Sequence, residues 1–279
     1  MIGLLESFDD MDRNSETPEL IAAMTHLAKV LPEPAKATPV EQLIDCISKL
    51  LEGTAHVAVG ASSPIPGSGA LLARALSESK TGKAQTRVSI LGSKKHHLFT
   101  NGGVELFDMA ATGRIDAFFL GGGQIDGQAN INLVGTGMYP KSDVRWPGSF
   151  GSAYLYHLVP RVILFREEHS RRVLVRQVDF ISASGKTRAR DYRPGGPVAL
   201  LTELCLFQFN RKQSRFVLHS IHPGHSLEEI RDQTGFDFDV SENLFITPDP
   251  TPMNLNLIRG RIRHEISETY PNFAKQLDI

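Results

Sequence analysis

"AHVAVGASSPIPGSGALLARALSES", residues 55–79, decides the fold class. The apolar run 55–61 shows no polar alternation, which suits a strand buried on both faces. The loop "SSPIPGSG" (62–69) is built from small and turn-forming residues, and "ALLARALSES" (70–79) has helical spacing. Strand, loop and helix in one short span make a βα unit, and such units point to a parallel sheet.

Upstream, "TPVEQLIDCISKLL" (38–51) reads as an amphipathic helix, with Thr38 as N-cap, Pro39 in the first turn and Glu41 closing a capping box. A further helical run, "PELIAAMTHLAKVL" (18–31), is set off by Thr17-Pro18 before it and by Pro32, Pro34 and Pro39 after it. Residues 1–37 are therefore expected to form an appended helical arm, and 38–279 the main domain. Downstream, "RVSILG" (87–92) is a strand, "GVELFDMAATG" (103–113) a helix ended by Gly113, and "RIDAFFLGG" (114–122) another strand. The alternation breaks after Asn132. "RVILFREE" (161–168), "VLVRQVDFIS" (173–182), "ALLTELCLFQFN" (199–210) and "RFVLHSI" (215–221) read as successive strands. "SLEEIRDQTG" (226–235) and "MNLNLIRGRIRHEISETY" (253–270) read as helices. The expected fold is α/β, an open layered arrangement with a mostly parallel sheet and an antiparallel second half. No internal repeat or low-complexity segment interrupts it.

Composition excludes several function classes. The 279 residues are 41% hydrophobic and 22% charged, with a formal net charge of -1, which describes an ordinary globular chain. Without a basic stripe, a nucleic-acid partner is not expected. No window approaches a membrane span, and the acidic start "MIGLLESFDDMDRN" has no signal-peptide core. Two cysteines without motif spacing, Cys46 and Cys205, fit a reducing compartment, so a cytoplasmic location is expected.

The stretch "GGGQIDGQANIN" (121–132) is the strongest functional signal in the residues themselves. Three glycines after a buried strand cost backbone entropy, so a close approach to the backbone is implied. Asp126-Gly127 marks a turn. With a three-residue turn, Gln124 faces Asn130, giving a hairpin with an amide-lined side. The pattern is compatible with an exposed polar hairpin. It equally suits a site in which the Gly121, Gly122 and Gly123 amides stabilise an oxyanion while the side-chain amides position a ligand.

Residues 60–69 open a helix but lack the Lys-Ser/Thr ending of a phosphate-binding P-loop and the glycine order of a dinucleotide fold. A plain strand-to-helix turn is the simpler reading. "VRWPGSFGSAYL" (144–155) offers a second glycine loop, with Gly148 and Gly151 allowing close approach and Arg145 able to meet a phosphate. His219, His222 and His225 are spaced by three but lack further ligands, and the adjacent His96 and His97 diverge on a strand. No metal site is expected, and no Gly-x-Ser-x-Gly elbow is present.

Taken in order, "TPVEQLI" (38–44), "VAVGASSPIPGSGALLARAL" (57–76), "ATGRIDAFFLGGGQIDGQANIN" (111–132), "VRWPGSFGSA" (144–153) and "SIHPGHSLEEIRDQTGF" (220–236) resemble the β subunit of family I CoA-transferases. The resemblance is to the glutaconate CoA-transferase type and to the related cholesterol ring-opening CoA hydrolase. It implies two homologous subunits with the active site at their interface, an acyl-CoA substrate, and no cofactor beyond the CoA carried by the substrate. A homologous α subunit in a hetero-oligomer is the implied partner. Gly121, Gly122, Gly123 and Gln124 would then lie beside the thioester. Asp126, Asn130 and Asn132 would hold loop or substrate, and Arg145–Gly151 would form the CoA-side loop. On this reading Asn130→Ala loses substrate affinity with little loss of stability.

One departure bears on the reaction. Glutaconate-type β subunits carry the transfer glutamate after the strand equivalent to "RVSIL", where this chain continues "GSKKHH" (92–97) without an acid. Glu105 is the nearest glutamate, on the following helix. A hydrolase-like or lyase-like CoA-thioester enzyme is therefore favoured. A true transferase with its glutamate supplied elsewhere, and a non-catalytic acyl-CoA-binding subunit, stay open.

Overall fold

The computed structural model describes residues 36–100, 103–186 and 192–277. The arm expected over residues 1–37 falls almost wholly outside them. From Ala37 onward the chain forms one compact unit.

Helix α1 (Pro39–Leu50) starts as the sequence dictates. Thr38 Oγ1 accepts from Glu41 N at 3.2 Å, and Thr38 N donates to Glu41 Oε2 at 2.8 Å. Strand β1 (His56–Val59) leads through residues 60–63 into helix α2 (Pro64–Thr81), which ends at Gly82 in the left-handed region. Part of the loop expected over 62–69 is thus already helix. Proline at the first position is pre-set for the helical turn, so the glycines and serines after it are carried along. Gly69 lies where α2 crosses α1, and a Cβ there would overlap Ile47.

Strand β2 (Arg87–Ile90), helix α3 (Gly103–Ala111) and strand β3 (Ala117–Leu120) continue the alternation. Two short hairpins follow, β4 (Gln124–Ile125) with β5 (Ile131–Asn132) and β6 (Gly135–Thr136) with β7 (Val144–Arg145). Helix α4 (Ser152–Leu158) then leads to strands β8 (Arg161–Phe165), β9 (Pro197–Leu201), β10 (Cys205–Asn210) and β11 (Arg215–Ile221). Helix α5 (Leu227–Gln233), strand β12 (Asp239–Ile246) and helix α6 (Pro252–Leu257) come next. A π-helical turn (Ile258–Ile262) joins α6 to α7 (Arg263–Ser267), and α8 (Pro271–Ala274) follows.

Eight strands form one sheet in the order β12-β11-β10-β9-β8-β3-β1-β2. From β2 to β9 all neighbours are parallel, β10 is antiparallel to β9 and to β11, and β12 is parallel to β11. Apart from the edge strand β12, the sheet is largely buried on both faces. Ala58, Phe118, Leu120, Val162 and Leu164 pack with α3, α4 and the β4/β5 hairpin. Val57, Val59, Ala117, Phe119 and Ile163 pack with α1, α2 and the C-terminal helices. Alternate residues of each strand thus enter opposite cores, as the two-residue strand period requires.

Two expected strands differ. Residues 173–182 are no strand of the sheet but clasp the β4/β5 hairpin through isolated bridges at Leu174 and Ala183. Their backbone is spent on the hairpin, Ile125 N donating to Val173 O at 2.8 Å and Val175 N to Ile125 O at 2.9 Å, so it does not pair with the sheet. "ALLTELCLFQFN" is two strands, because Thr202 N donates to Cys205 O at 3.0 Å and folds the chain back at Glu203–Leu204. Strand β12 has mostly exposed, polar residues and gave no apolar pattern.

Candidate active site

The crossover from β1 to β2 carries α2 over one face of the sheet, and the crossover from β2 to β3 carries α3 over the other. The chain thus reverses direction between β1 and β3. Such a switch point leaves a crevice at the carboxyl ends of the strands. Here it is a cleft of about 700 Å³. Ser62, Ser63 and Pro64 wall one side, and Leu120 and Gly121 form the floor. Arg166, Glu167 and Glu168 come from the end of β8, and Glu203 from the β9–β10 turn.

Each wall has a local cause. Ser62 is held at φ 59° to turn the chain into α2. No acid occupies the first turn of α2 and Ser63 makes no side-chain cap, so the positive helix end faces a cleft whose carboxylates, Glu167, Glu168 and Glu203, come from the β8 and β9–β10 turns. A Cβ on Gly121 would stand 3.0 Å from Phe165 O, a tight contact that glycine relieves where β3 leaves the sheet beside β8. The Ser170 hydroxyl, then Arg166 and Arg172, hold the Glu168 carboxyl below its usual range.

His169 is buried behind these acids, its Nδ1 2.8 Å from Thr202 Oγ1 and its Nε2 2.9 Å from Thr234 Oγ1. Its backbone N–H donates to Glu203 Oε1 at 3.2 Å, tying the β8 turn to the β9–β10 turn. Burial pushes His169 down to about 4, and burial does the same to His222, which lies between Thr247 Oγ1 and Thr202 O. Both imidazoles are therefore neutral in the fold at pH values where an unfolded chain, with histidine near its usual 6.5, takes up protons. The unfolded state binds more protons in that window, so stability is expected to rise with pH between about 4 and 6.5. Urea midpoints measured across it check the sign.

The sequence-derived site residues divide into two groups. Gly121 lines the cleft directly. Gly123 sits against the indole of Trp146, where a Cβ would overlap the ring, so the glycine run and the loop of Arg145–Gly151 meet through that side chain. Gly122 packs against the Gln124 carbonyl, and Gly123 N donates to Asn132 O at 2.9 Å. Arg145 Nη1 donates to Val134 O at 3.1 Å. Gly148 has φ 107°, and Gly151 starts α4 where a Cβ would overlap Phe107.

The amides behind the glycines bond to one another. The register is Gln124 opposite Asn132, not opposite Asn130. The turn sits one residue later than expected because Asp126 Oδ1 accepts from Gln128 N and Asn130 N, and Ala129 takes a positive φ. Asn132 Nδ2 donates to Gln124 Oε1 at 2.8 Å and to Gly135 O at 2.7 Å, while Gln124 Nε2 donates to Asp179 Oδ2 at 3.1 Å. Asn130 Nδ2 donates to Asp126 Oδ2, and its Oδ1 accepts from Ser184 Oγ and Gly185 N. Tyr156 Oη donates to Ala129 O at 2.7 Å and pins this turn to α4. The geometry adds a stability cost to the effect expected of Asn130→Ala. The buried Asp126 carboxylate loses a donor, and the more exposed Ser184 and Gly185 lose an acceptor, which is expected to cost about 1 kcal/mol, read from the denaturation midpoint.

The loop after β2 is held from outside. Glu268 accepts from Ser93 Oγ at 2.7 Å and from Lys94 N at 2.8 Å, and these bonds, the Lys94 amide first, take its carboxyl down to about 2. Glu105 accepts from Thr100 N ahead of α3. The histidines 219, 222 and 225 diverge. His219 meets the edge of Phe245, the His222 ring is bonded between Thr202 O and Thr247 Oγ1, and His225 pairs with Glu229. Among the described residues no group of three or more His, Cys, Asp or Glu could hold a metal ion, and no helix is long and apolar enough to cross a membrane.

Sequence reasoning passed over Ser62 and Ser63 as a plain turn and missed Glu167, Glu168 and Glu203. The doubled acid ending the strand "RVILF" was the available signal for the first pair. Glu203 gave none, since its turn lacks glycine, asparagine and aspartate.

The family profile described as Coenzyme A transferase matches residues 42–233. This chain belongs to the coenzyme A transferase family. It is 34% identical over 154 residues to one subunit of the 3-oxoadipate CoA-transferase of Pseudomonas knackmussii, covering 53% of this chain and 59% of that protein. It is 26% identical over 161 residues to the cholesterol ring-cleaving hydrolase IpdB subunit of Rhodococcus jostii, covering 56% and 62%. The match thus spans about three-fifths of those relatives' length. The crystal structure of the decarboxylase AibA/AibB superposes with a TM-score of 0.68 at 25% identity, covering 86% of this chain and 98% of that one.

Proposed function

We propose that this chain is a β-type subunit of an enzyme acting on an acyl-CoA thioester, with hydrolase-like or lyase-like chemistry, and that an α-type subunit completes its site. The single observation that carries the reading is the cleft at the β1/β3 switch point. It joins a helix N-terminus, the bare backbone of Gly121 and the end of β8 in one concavity. A helix N-terminus favours developing negative charge, which thioester cleavage creates on the carbonyl oxygen. Gly121 lets the acyl group approach the backbone. The loop 145–151, docked on Gly123 through Trp146, is assigned to the CoA side.

Two observations support a partner. The loop after β2 carries no acid. Large apolar side chains also stand exposed: Phe150 at 87%, Met138 at 84% and Tyr192 at 82%. Phe107, Phe150 and Tyr154 form one aromatic group, with ring centroids 5.4 and 5.6 Å apart. Exposed apolar surface of this kind marks association sites. The reacting carboxylate is assigned to the partner, and the relatives named as subunits fit that assignment.

A second reading is favoured by the exposed Glu167 and Glu203 on the cleft rim. Either could act as the carboxylate within this chain. Assays of acyl-CoA turnover by the chain alone, by the pair, and by the pair carrying glutamines at these positions separate the two.

A further inference from the structure

A second concavity, of about 680 Å³, lies at the opposite end of the strands from the cleft. His56 and Arg87 begin β1 and β2, Arg114 precedes β3, and the loop after β2 folds back to add Lys95 and His96. That return is fixed by Ile90 N donating to His96 O at 2.8 Å. Arg74 of α2 completes the wall.

The side chains lining the cavity carry no acid, while Glu265 and Asp116 stand just behind them. Arg74 is paired with Glu265 and donates to His96 Nδ1 at 3.4 Å. His56 bonds to Arg114 O and Ser89 Oγ, with Asp116 beneath its own backbone N–H. Among the described residues, Arg87, Lys95 and Arg114 have no carboxylate at ion-pair distance, and no acid lines the cavity. His96 Nε2 is buried and makes no hydrogen bond, with Glu265 Oε2 3.7 Å away. Burial, then the neighbouring Arg74, lowers His96 against the pull of Glu265 and Glu268, and His56 is lowered chiefly by burial.

We propose that this cavity binds a small phosphorylated anion, its phosphoryl oxygens held by Arg87, Lys95 and Arg114. Three convergent cations match several anionic oxygens, whereas one carboxylate would leave most of them unanswered. A nucleic acid would call for a basic stripe along an outer face, whereas these exposed cations share one concavity on a chain of net charge -1. The phosphoryl groups could belong to a separate metabolite or to CoA itself. The site is independent of the chemistry assigned to the cleft.

The test is calorimetric titration of inorganic pyrophosphate into the full chain at about 0.15 M ionic strength, where exposed pairs are already screened. Saturable binding of one pyrophosphate per chain is expected, weakened about tenfold or more by combining Arg87→Gln with Arg114→Gln. Both arginines are exposed and carry no ion pair, so the variant should melt with the parent. Ser63→Phe, which crowds the cleft, should leave pyrophosphate binding intact. CoA titrated with and without pyrophosphate identifies the source: competition assigns the cavity to CoA's own phosphates, and independence to a separate phosphorylated ligand. Absence of saturable binding, or binding unchanged by the double arginine variant or abolished by Ser63→Phe, overturns the proposal.

Discussion

Purified alone, the chain is expected to turn over no acyl-CoA thioester, and an α-type subunit is expected to restore turnover. The cleft offers a helix N-terminus and bare backbone, which stabilise charge but neither attack a carbonyl nor move a proton. General-base or nucleophilic chemistry needs a group within hydrogen-bond reach of the reacting atom, and contributes about 10²–10⁴-fold. Of the acids on the cleft, Glu168 is bonded to Ser170, Arg166 and Arg172, and Glu203 to the His169 amide, which leaves Glu167 exposed on the rim as the acid that the glutamine variants must test. The exposed aromatic group around Phe107 is expected to be covered in the pair. Without a partner, the chain should self-associate through it. Light scattering with and without the α-type subunit checks this beside the activity.

Gly123→Ala is expected to lower kcat of the pair about a hundredfold while the chain still folds. The added methyl would occupy the position of the Trp146 ring. Trp146 would swing away and carry the loop 145–151 off the glycine run. Displacements near 1 Å at positioning elements cost catalysis on that scale, about 10²-fold. Trp146 is the only tryptophan in the chain, so its fluorescence reports the displacement directly. Unchanged emission with unchanged kcat would separate the loop from the site.

Much of this architecture was legible in the residues. The capping box at Thr38–Glu41, the βα unit at 55–79 and the buried strand ending at Leu120 each combine a local signal with a matching burial pattern. What was not legible depends on long-range pairing. Residues 173–182 are apolar enough for a strand, yet they fold around a hairpin whose position only the tertiary structure fixes. The amides of Gln124 and Asn130 look available in sequence because their partners Asp179, Ser184 and Gly185 lie about fifty residues away, and Asn132 is taken up by Gln124 and Gly135 only once the hairpin has its register. Glu203 reaches the cleft only because β9 and β10 turn back without a turn-forming residue.

The assignment of the reacting carboxylate to the partner is tested most directly by one rate. That rate is kcat of the reconstituted pair in which Glu167 and Glu203 of this chain are both replaced by glutamine. The account predicts a value within about threefold of the parent pair, because these acids shape the cleft rim without touching the reacting atoms. A fall of about a hundredfold or more, with KM unchanged, is the loss expected of a removed general base. That result would locate the reacting carboxylate in this chain.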